Sequence, residues 1–239
     1  MADIEKMQKY LKRALGENYN IISEKQKKQF NDYFAVLEQT SKRMNLTTIL
    51  DEKGVAEKHF ADSVFPVFED LFEKGDRVID IGSGAGLPGL PIKIIRPDFE
   101  MTLLEATGKK AEFIKSAARE CGLEVCVISN RAEEAAREKE HREKYDVCVS
   151  RAVARLNILL ELCVGFVKKG GYILAYKGEK AGEEKREAEK AAKELGLEFV
   201  GKHMKDNVED QHCILVYKKE KSLPGKYPRR FSNIKKNPL

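Results

Sequence analysis

The sequence predicts an α/β fold: a seven-stranded, mostly parallel sheet wrapped by helices, with a helical extension ahead of it. From residue 77 onward, short β-branched runs alternate with helical patterns, the rhythm of βα units joined by right-handed crossovers. Residues 1–72 show helical spacing and no convincing strand. The last two strand patterns follow one another with no helix between them, so the closing strand is expected to hairpin into the sheet antiparallel to its neighbours.

In chain order, residues 1–15 and 23–43 are expected as helices. Phe30, Phe34 and Leu37 fall at i, i+4 and i+7, and Ser23 followed by Gln26 reads as a capping box. A third helix is expected over 55–72. Strands are expected at 77–81, 101–105, 124–129, 145–150, 172–177, 197–204 and 212–219. Helices are expected at 86–95, 109–121 and 156–167, with 132–142 a helix or loop. Lys169-Gly-Gly171 reads as a turn into the fifth strand, and 183–195 as a charged, solvated helix. With no internal repeat or low-complexity linker, the expected organisation is a helical extension (1–72), a core (73–222) and a basic tail (223–239) in one domain.

Composition excludes several classes. Of 239 residues, 35% are charged and 42% apolar, with no apolar run long enough to cross a bilayer. The opening Met1-Ala2-Asp3-Ile4-Glu5 is acidic and amphipathic, unlike a signal or transit peptide. Cys121, Cys126, Cys148, Cys163 and Cys213 have no CxxC spacing, which predicts reduced, buried thiols in a cytoplasmic protein, with no zinc site or other metal. The net charge is +5, yet residues 218–239 alone carry +7, leaving −2 for the rest. That concentration is how a polyanion-binding footprint looks, and also how a solubilising tail looks.

The candidate ligand site is Asp80-Ile-Gly82-Ser-Gly84-Ala-Gly86-Leu-Pro-Gly89, between a strand and a helix. Alternating glycines let the backbone turn tightly and approach a ligand where a Cβ would collide. A dinucleotide fingerprint reads GxGxxG; here the third glycine comes one residue early, giving GxGxG. S-adenosylmethionine has no phosphate, so its loop must bend around an amino acid and a ribose. Asp80 can steer the ammonium group, directly or through water. Glu105, ending the next strand, can accept both ribose hydroxyls. The two acids in register favour the methyl donor over NAD, and the fold becomes the Rossmann-like class I arrangement of SAM-dependent methyltransferases. At the end of the third strand, Ser129-Asn-Arg131-Ala132-Glu133 is expected beside the adenine, or as a helix cap.

The fourth strand ends at Ser150-Arg151-Ala152-Val153-Ala154. The Asn/Asp-Pro-Pro-aromatic motif used for exocyclic base amines is absent. Cys148 sits inside the strand, a poor place for the nucleophile that pyrimidine-carbon methylation needs. What remains is an acceptor with a free lone pair, such as guanine N7, which requires alignment rather than a general base. Arg151 could hold guanine O6 or a flanking phosphate, pair with the donor's carboxylate, or be salt-bridged to Asp146 or Glu161.

Across the chain the residues resemble the RsmG (GidB) methyltransferases. The likeness rests on the glycine turn, Leu104-Glu105 with Lys109-Lys110, Ser150-Arg151-Ala152-Val153, Asn45-Leu46-Thr47, His59 with Asp62-Ser63, and Tyr227-Pro228-Arg229 with Pro238-Leu239. The resemblance implies methylation of N7 of a guanine, numbered 527 in the reference, in 16S small-subunit rRNA. It implies a donor site of Gly82, Leu87, Glu105, Ala132, Glu133 and Arg151, to which the motif reading adds Asp80, Gly84 and Gly86. Arg151 and Arg131 become the basic residues nearest the chemistry. Where relatives often carry an arginine before the last strand's histidine, this chain has Gln211-His212. Lys226, Arg229, Arg230, Lys235 and Lys236, interleaved with Tyr227 and Phe231, are expected to meet RNA from a tail ordered only in part. The expected partner is 16S rRNA or the small subunit, with no membrane, and the protein is expected to be a monomer. The competing readings are a methyltransferase acting on a protein or small molecule, and a ribosome-binding module without catalysis.

Overall fold

The computed structural model describes residues 3–205 and 212–239. Met1, Ala2 and the Gln211 position singled out above lie outside the described residues. Helix α1 (Ile4–Leu15) starts where the Asp3 side chain accepts the Lys6 N–H, and it buries Met7, Leu11 and Leu15. A 3-10 turn, Gly16–Ile21, leads to α2 (Glu24–Ser41). Its capping box is formed as expected, Ser23 and Gln26 each satisfying the other's backbone N–H.

The third expected helix is a composite. It opens at α3 (Glu52–Gly54), because the Asp51 side chain caps the Gly54 N–H at 2.8 Å. It widens into a π-helix over Val55–Ala61, then narrows to α4 (Asp62–Phe68). It ends before residue 72 because Asp70 takes a left-handed φ of 53°.

The core follows as β1 (Arg77–Ile81), α5 (Gly89–Ile95), β2 (Glu100–Leu104), α6 (Gly108–Glu120), β3 (Cys126–Ile128), α7 (Ala132–Ala135), β4 (Tyr145–Arg151), α8 (Leu156–Val164), β5 (Val167–Lys177), α9 (Ala181–Glu187), α10 (Glu189–Leu195), β6 (Leu197–Met204) and β7 (Cys213–Lys219). The strand order is β3-β2-β1-β4-β5-β7-β6; β7 alone runs against its neighbours, as expected from the two closing strands.

Several boundaries differ from expectation. Helix α5 begins at Gly89 rather than 86, because the chain first winds a tight turn in which Gly86 and Leu87 both donate to Ser83 O. Strand β5 starts at Val167, so Lys169-Gly-Gly171 is a bulge inside it. Gly170 at φ 87° supplies the bend, and the register jumps from Tyr145–Val167 to Val147–Tyr172. The charged helix breaks at Ala188 into α9 and α10. Neither Ser129 nor Asn130 caps α7, whose N-cap is Arg131; Asn130 instead bonds to Glu138 and the Arg131 N–H. Cys126 is exposed, while the other four thiols are buried and free.

Helices α1, α2, α5 and α6 share one hydrophobic core with one face of the sheet, so the N-terminal extension is continuous with the core. Helices α8 and α10 cover the other face. From β1 the chain proceeds outward to β2 and β3, then returns to place β4 on β1's other side. That reversal opens a crevice at the carboxyl ends of β1 and β4.

The tail departs most from expectation. It is not a solvated arm but a strap across α8, ending in α11 (Phe231–Lys236). Glu161, with no exposed surface, accepts from the Arg229 N–H at 2.8 Å, from Nε at 2.8 Å and from Nη2 at 2.6 Å. Arg142 donates to the Tyr227 and Leu223 carbonyls, and Arg137 to that of Pro228. Tyr227 is buried with its hydroxyl on Glu194. Arg229 and Tyr227 are therefore engaged with the protein itself, whereas Lys226 stays exposed with a loose pair to Glu194 at 3.7 Å. Local composition showed the charge of Arg229 but not the buried Glu161 that receives it.

Candidate active site

A cavity of about 950 Å³ occupies the crevice. One wall comes from the core: Gly82–Ala85, Leu87, Glu105 and Lys110. The facing wall comes from the extension: Leu46, Thr47, Ile49, Lys58, His59 and Asp62. Arg151–Arg155, Tyr176, Lys177 and His212 close the rim between them.

The glycine turn is built on Asp80. This carboxylate has no exposed surface; its Oδ2 accepts the Gly89 N–H at 2.9 Å, and Oδ1 has no hydrogen-bond partner among the described residues. A Cβ at Gly89 would stand 2.8 Å from Leu103 Cδ2 and 2.9 Å from Asp80 Oδ2, so the helix can approach the strand only as glycine. At Gly84, φ 57°, a Cβ would meet nothing nearer than Gly82 O at 3.9 Å and would project into the cavity. That cradle, bare of side chains, fits a ligand's amino-acid or ribose part pressed against backbone.

Glu105 completes it. The side chain lines the cavity at 7% exposure, with Oε2 accepting the Gly84 N–H at 3.0 Å and Oε1 the Thr107 N–H at 2.8 Å. Each oxygen retains a further lone pair, so one carboxylate can brace the turn and still accept from two hydroxyls.

Burial pushes Asp80 up to about 7. The unfolded carboxyl ionises near about 4, so between about pH 4 and 7 the folded chain holds the extra proton. Stability therefore falls as pH rises through that window and levels above it. Asp80→Asn removes the fall: its Tm relative to wild type climbs from about pH 5 to about pH 8. A constant Tm difference across that range in thermal melts would show that Asp80 does not titrate there.

At the rim, Arg151 Nη1 donates across to the facing wall, to Asp62 Oδ2 at 2.9 Å and to the Lys58 carbonyl at 3.0 Å. The alternatives for Arg151 as a structural salt bridge are corrected: Asp146 pairs with Lys168, and Glu161 with Arg229. Asp62 Oδ1 lies 3.3 Å from His212 Nδ1. Burial works to raise Asp62, but the His212 hydrogen bond and the Arg151 charge hold it below the usual carboxylate range. His59, bonded to Thr47 Oγ1 at 2.9 Å, is pushed down to about 4 by burial and by Arg151, and is neutral at working pH.

The loop after β4 is held in place around Ala152, whose φ is 58°. Ser150 Oγ donates to Ile81 O, Lys177 Nζ to Ala154 O, and Arg155 pairs with Glu183 and Glu187. Val153 packs over the turn; its Cγ2 would lie 2.4 Å from a Cβ at Gly82. Cys148 is fully buried and burial raises its thiol well above the ordinary value, so this residue presents no thiolate.

The structure thus brings together Gly82, Gly84, Leu87, Glu105 and Arg151. Asp80 lies beneath the turn, and a Cβ on Gly86 would face Leu90 and Tyr33. Arg131, Ala132 and Glu133 are not part of the cavity lining; they follow β3, the edge strand two removed from β1. Tyr176, Lys177 and the Asp62–His212 contact escaped the sequence reading; the Tyr-Lys pair ending a predicted strand at the crevice edge was the available signal.

The family model described as rRNA small subunit methyltransferase G (GidB) matches residues 26–214. A ribosomal RNA small subunit methyltransferase G of Lactobacillus johnsonii is 41% identical over 223 residues, 91% of this chain and 93% of the relative. One from Alkaliphilus oremlandii is 42% identical, covering 95% of each. Among solved structures, a SAM-dependent O-methyltransferase of Thermotoga maritima aligns with TM-score 0.53 and 18% identity, covering 77% of this chain and 71% of that one. Fibrillarin of Aeropyrum pernix with bound S-adenosyl-L-methionine aligns with TM-score 0.50 and 17% identity, covering 61% and 67%. These two show the fold, a Rossmann-like class I methyltransferase sheet.

Proposed function

Since the chain belongs to the rRNA small subunit methyltransferase G family, we propose that it transfers a methyl group from S-adenosylmethionine to N7 of a guanine in 16S rRNA, the guanine numbered 527 in the reference rRNA. The observation carrying this reading is a single cavity with two unlike walls. One is a bare glycine turn braced by Glu105, and the other is the polar face of the extension, where Lys58 and Asp62 hold Arg151 at the rim.

The donor would supply an electrophilic methyl carbon. Glu105 would take its ribose hydroxyls, while Gly82, Gly84 and Leu87 would bound it and Asp80 would brace the turn from below. Arg151 would meet an oxygen of the target nucleotide. Guanine N7 carries no proton, so alignment in a confined site is what the chain must provide. The neutral His59 and the buried Cys148 agree with that, since neither a charged acid nor a thiolate nucleophile is presented.

The test is mapping of N7-methylguanine by chemical cleavage and primer extension in 16S rRNA from cells with and without the intact gene. Loss of one stop at the predicted guanine is expected; an unchanged pattern overturns the substrate.

The protein would act in the cytoplasm, as a monomer, on 16S rRNA or the small subunit; among the described residues no helix is long and apolar enough to cross a membrane. With Arg229 engaged by Glu161, the exposed Arg230, Lys235 and Lys236 are tail cations without an ion pair to protein among the described residues. Replacing all three by alanine should weaken rRNA binding and reduce the slope of log affinity against log salt by about 2. Donor affinity should not change. An unaltered slope would make this part of the tail structural as well.

A further inference from the structure

Arg151 lines the cavity, yet both of its hydrogen bonds fall on one nitrogen. Nη1 takes Asp62 Oδ2 and the Lys58 carbonyl. The opposite edge, Nε with Nη2, offers the parallel N–H pair that suits an oxygen acceptor, and it carries no bond to protein among the described residues.

The anchor depends on the π-helix. In an α-helix the Asp62 N–H would donate four residues back, to Lys58 O. Here it donates to Glu57 O and His59 O instead, and the Lys58 carbonyl accepts from the guanidinium. The same distortion sets the Asp62 carboxylate beside Nη1, with Arg151 and Asp62 side chains only 16% and 12% exposed. Wide helical turns of this kind recur at functional sites.

Resting on the methyl-transfer reading, we infer that Asp62 is a positioning residue for Arg151: with the Lys58 carbonyl it holds the guanidinium by its Nη1 corner and keeps the Nε–Nη2 edge for an oxygen of the incoming guanine nucleotide. Without the carboxylate, the cation can swing toward other acceptors in the cavity, Glu105 among them. The extension stays docked through bonds that do not involve Asp62. Tyr176 donates to Ser63 O at 2.7 Å, and Tyr33 to Ala85 O at 2.6 Å.

The experiment compares wild type, Asp62→Asn, Asp62→Glu, Arg151→Ala and the Asp62→Asn/Arg151→Ala double variant. Each is assayed for methyl transfer from radiolabelled S-adenosylmethionine to small subunits lacking the mark, for S-adenosylhomocysteine affinity, and for Tm. Asp62→Asn should lose about a hundredfold in kcat, the order expected for a catalytic group misplaced by about 1 Å. Its product affinity and Tm should stay near wild type. Asp62→Glu, which keeps the charge but moves it by a methylene, should recover part of the rate. The double variant should be no worse than Arg151→Ala alone if Asp62 acts on the rate through Arg151 rather than through its other contact, His212. Wild-type rates in Asp62→Asn, or losses that multiply in the double variant, overturn the inference. A wild-type enzyme that methylates no RNA refutes the functional reading instead, so the two failures are distinguishable.

Discussion

Replacing Arg229 by alanine lowers stability by about 3 kcal/mol or more, the usual result of stripping one partner from a buried ion pair. For a chain of this length that corresponds to a fall in Tm of about 10 °C. Glu161 is wholly enclosed, and every hydrogen bond it is seen to accept comes from Arg229. Truncating the side chain leaves a carboxylate with a single backbone N–H in an apolar layer formed by α8 and the strap. The pair need not be favourable relative to hydrocarbon: Glu161→Met with Arg229→Met should regain most of the loss. Thermal melts of the single and double variants decide the matter. A single variant within about 2 °C of wild type would mean that water reaches Glu161 once the arginine is gone.

Glu105→Ala weakens donor binding by about a hundredfold. Two hydrogen bonds to a charged acceptor contribute about 3 kcal/mol together, and 1.4 kcal/mol is a factor of ten in affinity. The carboxylate has a second duty, because it holds the Gly84 and Thr107 N–H groups. Glu105→Gln should therefore be nearly as harmful as alanine. Its amide presents N–H groups at one end, where the native oxygen accepts one. Titration of S-adenosylhomocysteine into each variant measures this. An affinity within threefold of wild type for Gln would reduce Glu105 to a brace for the turn.

The sheet was legible because most strands carry a short run of β-branched and other apolar residues, such as Val147–Val149 in β4 and Ile214–Val216 in β7. The glycine turn was legible because its chemistry lies within ten consecutive positions. Glu105 followed from the regular spacing of a βα unit. Contacts made across long stretches of chain were hidden. Asp62 meets Arg151 from 89 positions away, and Arg229 meets Glu161 from 68. Nothing local to either residue distinguishes a paired charge from a solvated one, which is why Arg229 read as an RNA contact. The π-helix was equally hidden, since Val55–Ala61 has an ordinary helical composition and only its hydrogen-bond pattern sets it apart. The distance of Arg131 from the crevice was not legible either, since a strand end in sequence order says nothing about where that strand lies in the sheet.

The two walls of the cavity come from separate stretches of polypeptide, residues 46–62 on one side and 82–110 on the other. On the proposed division of the site, drift in the first stretch would alter which nucleotide is admitted while the second would go on serving the same donor. Laboratory evolution toward a different RNA acceptor would do best to randomise Leu46, Thr47, Ile49 and His59 and hold the glycine turn constant.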